Sequence, residues 1–398
     1  MRVLLIAPTC DRDDIGEAWV AHQWAARLSE RHEVTVLTYH KVGRGEIAPQ
    51  LPRARVVEWV EPRGLGRAER LNSLLKPGYV PFYLRARRWI RAALARGETF
   101  DVVHQPVPVA MRYPSPATGL GIPLVMGPVG GGMDSPSGFD AEDTAPWYVR
   151  LRSLDRLRLR RDPLLRRTYE QATCVLGIAP YVAENLAGLT VRRFEVMGET
   201  GLIELPPARD RVVRAGPLRL LFVGRLIRTK GARDAVAAMG HLRHLEVTLD
   251  LLGDGFDRGA CEDLARHLGI GDRVRFHGAV PHAEALAAYQ EADVFLFPSY
   301  REPGGNVAFE AMGASIPLIV ADRGGPGFVV DDRCGIRVSP LEPEQYARDL
   351  AAAVSTLAGD PELRLAMGRA AHSRLAEVGL WSAKLDAIDR LYEEVVAG

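Results

Sequence analysis

The sequence predicts an α/β protein made of two doubly wound, parallel-sheet domains in tandem, and three observations carry that expectation. Short β-branched runs alternate with amphipathic helical stretches, the pattern of parallel strands covered by helices. The alternation stops in the glycine-, proline- and charge-rich residues 198–217 and starts afresh at Leu218. The chain is 398 residues long, which at about 150 residues per domain is too long for one core and enough for two.

In chain order, residues 3–7 form an apolar run that reads as a buried first strand. A run of about six residues is too short for a signal peptide or a membrane span. Residues 19–30 have helical period, and residues 34–38, 102–104, 124–127 and 174–178 complete the first strand series. The second series comprises residues 218–224, 247–252, 274–277, 294–298 and 318–321. Residues 381–396 form an amphipathic helix after a complete second domain, and we expect it to cross back to the first. The expected division is therefore 1–200, 201–380 and a terminal helical segment 381–398. Two doubly wound domains are expected to face each other across a cleft, with ligand loops at the carboxyl ends of their strands.

Composition excludes several classes. The chain has 51 basic and 50 acidic residues for a formal net charge of +1, so no global field attracts nucleic acid. An apolar fraction of 47% supplies two cores and argues against disorder. Cys10, Cys174, Cys261 and Cys334 stand far apart without a CxxC pair, which reads as buried thiols in a reducing, cytoplasmic compartment. No stretch of about eighteen apolar residues occurs, so the expected protein is soluble or peripherally attached to the inner face of a membrane. Lysine stands only at positions 41, 76, 230 and 384, and arginine supplies the other basic side chains.

Two segments carry the chemistry. The strand ending at Gly224 runs into Arg225-Leu-Ile-Arg-Thr-Lys230-Gly231 and then a helix. Two cations at the end of a parallel strand, with a glycine for clearance and a helix N-terminus behind, make a seat for a diphosphate. Arginine grips phosphate oxygens in a fork and lysine acts as a compact point charge; the alternative is a pair of solvated loop cations. The segment Ser299-Tyr-Arg-Glu302-Pro-Gly304-Gly305-Asn306-Val307-Ala-Phe-Glu310 follows another strand and holds two glutamates separated by seven residues. Gly304 and Gly305 permit close approach, and Asn306 is expected to cap a helix whose free amides, from Asn306 to Ala308, face an anion. Glu302 and Glu310 would accept hydroxyl hydrogen bonds on either side, a layout that suits a nucleotide sugar.

Taken together, Gly224-Arg225, Lys230-Gly231, Gly253-Asp-Gly255, Val274-Arg-Phe276-His277-Gly278 and Glu302 with Glu310 resemble the C-terminal half of the retaining glycosyltransferases of family 4, which have the GT-B fold of two Rossmann-like domains. The resemblance implies an N-terminal acceptor-binding domain, a C-terminal nucleotide-sugar-binding domain and hexosyl transfer to a saccharide, lipid-linked or small-molecule hydroxyl. It implies that Arg225 and Lys230 neutralise the donor diphosphate, that Glu310 binds the ribose, that Glu302 lies near the transferred sugar, and that the base rests near Phe276 and His277. It further implies retention by a front-face route in which the departing diphosphate takes the acceptor proton, with no cofactor and no metal. Asp11-Arg-Asp13-Asp14 and Asp331-Asp332 read as turns rather than metal sites.

The sequence also departs from that family. The family commonly has Glu-Gly-Phe-Gly where this chain has Glu302-Pro-Gly-Gly305, which changes the wall around the sugar. The loop after the first strand has one glycine, Gly16, rather than a pair, and keeps the expected role of approaching the phosphate or sugar; His22 reads as structural. Many relatives have a histidine near the reaction centre where this chain has Gly127-Pro-Val-Gly130-Gly131-Gly132, a backbone floor for sugar or phosphate. His104 resembles a family position near the acceptor and reads equally as a strand cap.

The arginine-dense residues 150–167 form either a helix resting on anionic lipid or a solvated, internally paired one, and we favour the second. Gly253 to Gly259 is a near miss for a dinucleotide fingerprint. Two other function classes, a sugar-nucleotide epimerase and a non-catalytic nucleotide-sugar-binding protein, fit the same fold.

Overall fold

The computed structural model of the chain describes every residue except 42, 63–77 and 143–153, and the backbone but not the side chains of 154–156. It divides into two compact units. The first comprises Met1–Gly132, Tyr148–Thr200 and Lys384–Gly398, the second Met133–Trp147 and Gly201–Ala383.

Among the described residues, the first unit has one seven-stranded parallel sheet. Its strands are β1 (Arg2–Thr9), β2 (Glu33–His40), β3 (Arg55–Val60), β4 (Val102–Gln105), β5 (Leu124–Val129), β6 (Cys174–Gly177) and β7 (Phe194–Val196), in the order β3-β2-β1-β4-β5-β6-β7. The second unit has a six-stranded parallel sheet of β8 (Leu218–Val223), β9 (Val247–Leu252), β10 (Val274–Gly278), β11 (Val294–Phe297), β12 (Leu318–Ala321) and β13 (Gly335–Val338), in the order β10-β9-β8-β11-β12-β13. In each sheet the first strand in sequence lies inside and the order reverses beside it, which creates a topological switch point between β1 and β4 and another between β8 and β11. This doubly wound pattern is the α/β class that the alternation predicts.

Central strands such as β5, β11 and β12 are buried on both faces and read as continuous apolar runs. Strands β3, β7 and β13, which the sequence does not single out, lie towards or at the sheet edges. There one face meets solvent, so Arg55-Val-Val-Glu-Trp-Val60 mixes charge with apolar residues.

Residues 198–217 contain no helix or strand. They are nonetheless fixed to the second unit from Gly201 onward. The Arg211 guanidinium donates to the carbonyls of Ala314 at 2.9 Å, Ala292 at 2.5 Å and Tyr289 at 2.8 Å, closing the ends of two helices. The terminal helix Trp381–Ala397 joins the first unit from Lys384 onward. There Tyr392 bonds His104, and Asp386 and Asp389 both pair with Arg31.

Residues 133–142 group with the second unit, although the sequence division at 200 places them in the first half. The apolar side chain of Phe139 is the reason: it belongs to the core of the second unit.

Candidate donor site

Strand β8 ends at Val223, and the chain turns through Gly224, Arg225 and a short 3-10 turn, Arg228–Lys230, before helix Ala232–His241. Gly231 has φ +78°, and a Cβ there would collide with the Pro298 carbonyl oxygen at the end of β11. The Ser299 hydroxyl donates to the Thr229 carbonyl at 3.2 Å. The loops leaving β8 and β11 are therefore packed backbone to backbone at the switch point. The β9 loop closes the other side: the Leu226 amide donates to Asp254 and the Asp257 amide to Leu226, both at 2.9 Å.

This packing brings two of the residues the sequence singled out, Lys230 and Glu302, into contact. The Lys230 ammonium forms a half-buried ion pair with Glu302. Arg225 is exposed and its side chain makes no hydrogen bond or ion pair among the described residues. Helix Asn306–Gly313 begins immediately beyond Glu302, capped by Gly305 in the left-handed region at φ +88°. The expected cap, Asn306, is instead the first helical residue. Glycine is needed here because the chain must reverse beside Pro326, against which a Cβ would press at 2.8 Å. The Ala308 amide donates to the Gly305 carbonyl at 2.9 Å, so of the three amides expected to face an anion this one is already taken. Glu310 accepts from His282 Nε2 at 3.1 Å. Burial and the nearby Glu310 carboxylate push the Tyr289 phenol well above its ordinary value.

Phe276 and His277 sit on β10 with partners of their own. Phe276 packs against the core of the second unit, and His277 bonds the Asp250 carboxylate at 2.6 Å.

Four contributions escaped the sequence reading. His282 positions Glu310; its signal is the Pro281-His282 helix start. Arg228 and Asp234 form a bidentate pair at 2.5 and 2.9 Å beneath the Lys230 turn. Ser299 fixes the turn. The start of helix Gly324–Val329 backs the Glu302 loop: Gly325 donates to the Glu302 carbonyl at 2.9 Å, and a Cβ on Gly325 would collide with the Gly304 carbonyl oxygen. The string Arg-Gly-Gly-Pro-Gly after β12 was its visible signal.

In the first unit, Gly16 caps helix Glu17–Leu28 with φ +65°, exposed and with open space around the position of a Cβ. The neighbouring carboxylates Asp11 and Asp14 pair with Arg44 and Lys41. Gly131 has φ +94° and accepts from Asn185 at 3.2 Å, whereas Gly130 is buried against Ile178 and Val109.

The acceptor-side reading of His104 is corrected. Its ring is fully buried, with Nε2 bonded to the Gly127 carbonyl and Nδ1 to the Tyr392 hydroxyl, each at 2.6 Å, and no face remains for an acceptor. Burial lowers its pKa from 6.5 to about 4, so it is neutral. Gly130 is likewise a packing glycine rather than a floor.

In the arginine-dense region, Arg158 pairs with Asp162 at 3.4 Å and Arg166 with Glu170 at 2.7 Å, one helical turn apart. Of the expected 150–167 helix, residues 150–153 with Leu151 and the side chains of 154–156 lie outside the described residues, and the remainder is two helices, Leu154–Arg161 and Pro163–Gln171, separated by Asp162, which caps the second. No helix among the described residues is long and apolar enough to cross a membrane.

The family model described as glycosyl transferases group 1 matches residues 208–374, and the glycosyl transferase 4-like domain matches residues 16–197. A glycogen synthase of Mycobacterium tuberculosis is 36% identical over 189 residues, 47% of this chain and 45% of that protein. The chain thus spans about half the length of that relative. Sucrose-phosphate synthase from Thermosynechococcus elongatus superposes with a TM-score of 0.66 at 22% identity, covering 100% of this chain and 99% of that one. The Anabaena protein Alr3699/HepE, solved with UDP, gives 0.62 at 16% identity over 99% and 100% of the two chains. The two structural likenesses speak for the fold.

Proposed function

This chain belongs to the group 1 glycosyltransferases, family 4-like and of GT-B fold, and from that premise we propose that it moves a hexose-type sugar from a UDP- or GDP-linked donor to a hydroxyl acceptor with retention. The acceptor class is a saccharide, a lipid-linked precursor or a small molecule. The observation that carries the reading is the Lys230–Glu302 pair at the β8/β11 switch point, between a cationic turn and a helix N-terminus. A relative in fold has been solved with UDP, which supports a uridine nucleotide as the first donor to test.

In this reading a diphosphate arriving at the seat competes with Glu302 for the Lys230 ammonium. Its charge is larger than that of one carboxylate, so Lys230 and Arg225 turn to it, aided by the Asn306 and Val307 backbone. Glu302, released, accepts hydrogen bonds from sugar hydroxyls, and Glu310, steadied by His282, accepts them from the ribose. The acceptor oxygen forms a bond to the anomeric carbon as the bond from that carbon to the diphosphate oxygen breaks. The bonding pair leaves with the diphosphate, which takes the acceptor proton. Lys230 and Arg225 stabilise the charge growing on that leaving group, a role worth about a hundredfold or more in rate.

These side-chain cations supply the charge stabilisation in this scheme, so EDTA is expected to leave turnover unchanged; loss of turnover restored by a divalent ion would revise it. The direct test incubates the protein with a panel of UDP- and GDP-sugars and hydroxyl acceptors, comparing it with Lys230→Met. Transfer by the parent and its loss in the variant are expected. Full activity in Lys230→Met would overturn the proposed seat.

A further inference from the structure

Residues 133–142 come from the first half of the chain yet are built into the second unit, and they touch the supports of both partners in the Lys230–Glu302 pair. At one end, Met133 is packed against Gly324, and the Asp134 carbonyl accepts from the Arg323 guanidinium at 2.9 Å. The adjoining Gly325 amide holds the Glu302 carbonyl at 2.9 Å. At the other end, Glu142 accepts from Arg228 Nε at 2.6 Å, while the other two nitrogens of that guanidinium hold Asp234. Between the ends, Phe139 is fully buried with its ring centroid 4.4 Å from that of Tyr300, two residues before Glu302. The Arg228 guanidinium lies 5.2 Å from the Phe139 ring and 5.4 Å from the Tyr300 ring. Gly138 crosses directly against the Leu341 carbonyl, where no side chain fits.

The 3-10 turn bearing Lys230 is three residues long. A single turn of this kind has few internal hydrogen bonds and poor geometry, so outside partners set its orientation. Arg228 provides them. It is 3% exposed, and although burial opposes its charge, the Asp234 and Glu142 carboxylates raise its pKa above the ordinary value. A satisfied, desolvated network of this kind holds one geometry.

We propose that residues 133–142 form a brace that sets the Lys230–Glu302 geometry, with Arg228 as the positioning residue at the lysine end and the Arg323-capped start of helix Gly324–Val329 at the glutamate end. The proposal rests on the donor-seat reading of that pair. Neither Arg228 nor the brace touches substrate; they act through the two loops. A misplacement of about 1 Å at a reacting group is enough to cost roughly a hundredfold in rate, so a brace of this kind bears on turnover.

The test uses the full chain with Glu142→Gln, a partly exposed site whose change should leave the fold intact, and Phe139→Leu as a second variant. Hydrogen exchange is read on peptides covering residues 225–231 and 299–306, alongside kcat and KM for a UDP- or GDP-sugar. Exchange in those two loops is expected to quicken by about threefold or more while β8 and β9 stay unchanged, since loosened supports open locally. The effect on turnover is expected in kcat more than in KM. Arg228→Lys, which keeps the charge but lacks the fork, should recover part of what Arg228→Met loses. Unchanged exchange in both loops for both variants would overturn the brace whether or not the parent turns over sugar. A parent protein that neither binds UDP or GDP nor transfers sugar would overturn the donor-seat reading instead.

Discussion

Lys230 was conspicuous in the sequence as one of four lysines, and the structure adds its counter-ion, Glu302. Each partner stands half-buried in the other's field, so removing one leaves a charge partly unpaired. Lys230→Met is therefore expected to lower the melting temperature of the second unit slightly while abolishing transfer, and Glu302→Gln to do the same. His104 shows the opposite case. A lone histidine at the end of a predicted strand looks chemical in sequence, but its partner Tyr392 lies 288 residues away, and no local pattern reveals such a pairing. Its pKa is lowered by burial from 6.5 to about 4, so below 6.5 the unfolded chain takes up a proton that the native chain refuses. Stability is therefore complete above pH 6.5 and falls as the pH drops towards 4, by up to about 3 kcal/mol. His22, also lowered by burial, acts in the same direction. Urea unfolding of the first unit across this range should show the slope, and His104→Phe should flatten it; an identical slope in the variant would contradict the assignment.

Elements buried on both faces were legible in the sequence because burial forces continuous apolar runs, and β12 has the predicted bounds; β9, which alternates apolar with polar residues, has them too. The edge strands β3, β7 and β13 were not, because exposure there permits charge and polar residues, whereas edge strand β10 was. The glycines of the site were visible as composition but not as geometry. Gly325 is the sharpest case, since a Cβ there would strike the Gly304 carbonyl behind Glu302. Gly325→Ala should weaken UDP or GDP binding by displacing the Glu302 loop, whereas normal binding would show that the loop relaxes freely. The terminal helix carries a second consequence. Lys384 is 5% exposed, bonds the Gly198 carbonyl at 3.2 Å, and has its pKa lowered by burial from 10.5 to about 8. Between about 8 and 10.5 the unfolded chain holds a proton that the native chain gives up, so this site costs stability at neutral pH and less as the pH rises. Lys384→Met should stabilise the first unit by about 2 kcal/mol at pH 7, with the gain shrinking towards pH 10.5. Chemical denaturation at both pH values measures it, and a pH-independent difference would contradict the sign.

At the scale of the whole molecule, two strand series separated by a linker were enough to give two doubly wound units. The terminal helix was expected to cross back to the first unit, but nothing in the sequence showed that residues 133–142 join the second core, nor which ring anchors each segment. Residues 133–142 enter the second unit through Phe139, and residues 384–398 enter the first through Tyr392, because burial of an aromatic ring is decided by three-dimensional neighbours rather than by sequence distance. A chain ending at Ala383 should therefore lose stability in the first unit, losing the Arg31 pairs with Asp386 and Asp389 as well as the His104 bond. The central claim is that the second unit holds a nucleoside diphosphate at Lys230, Arg225 and the Gly305-capped helix. Isothermal titration of UDP and GDP into the full chain and into Lys230→Met tests it most directly. The account predicts binding of one of the two nucleotides to the parent and at least about tenfold weaker binding to the variant, the loss of one charge-assisted contact. Equal affinity in the two proteins would contradict it.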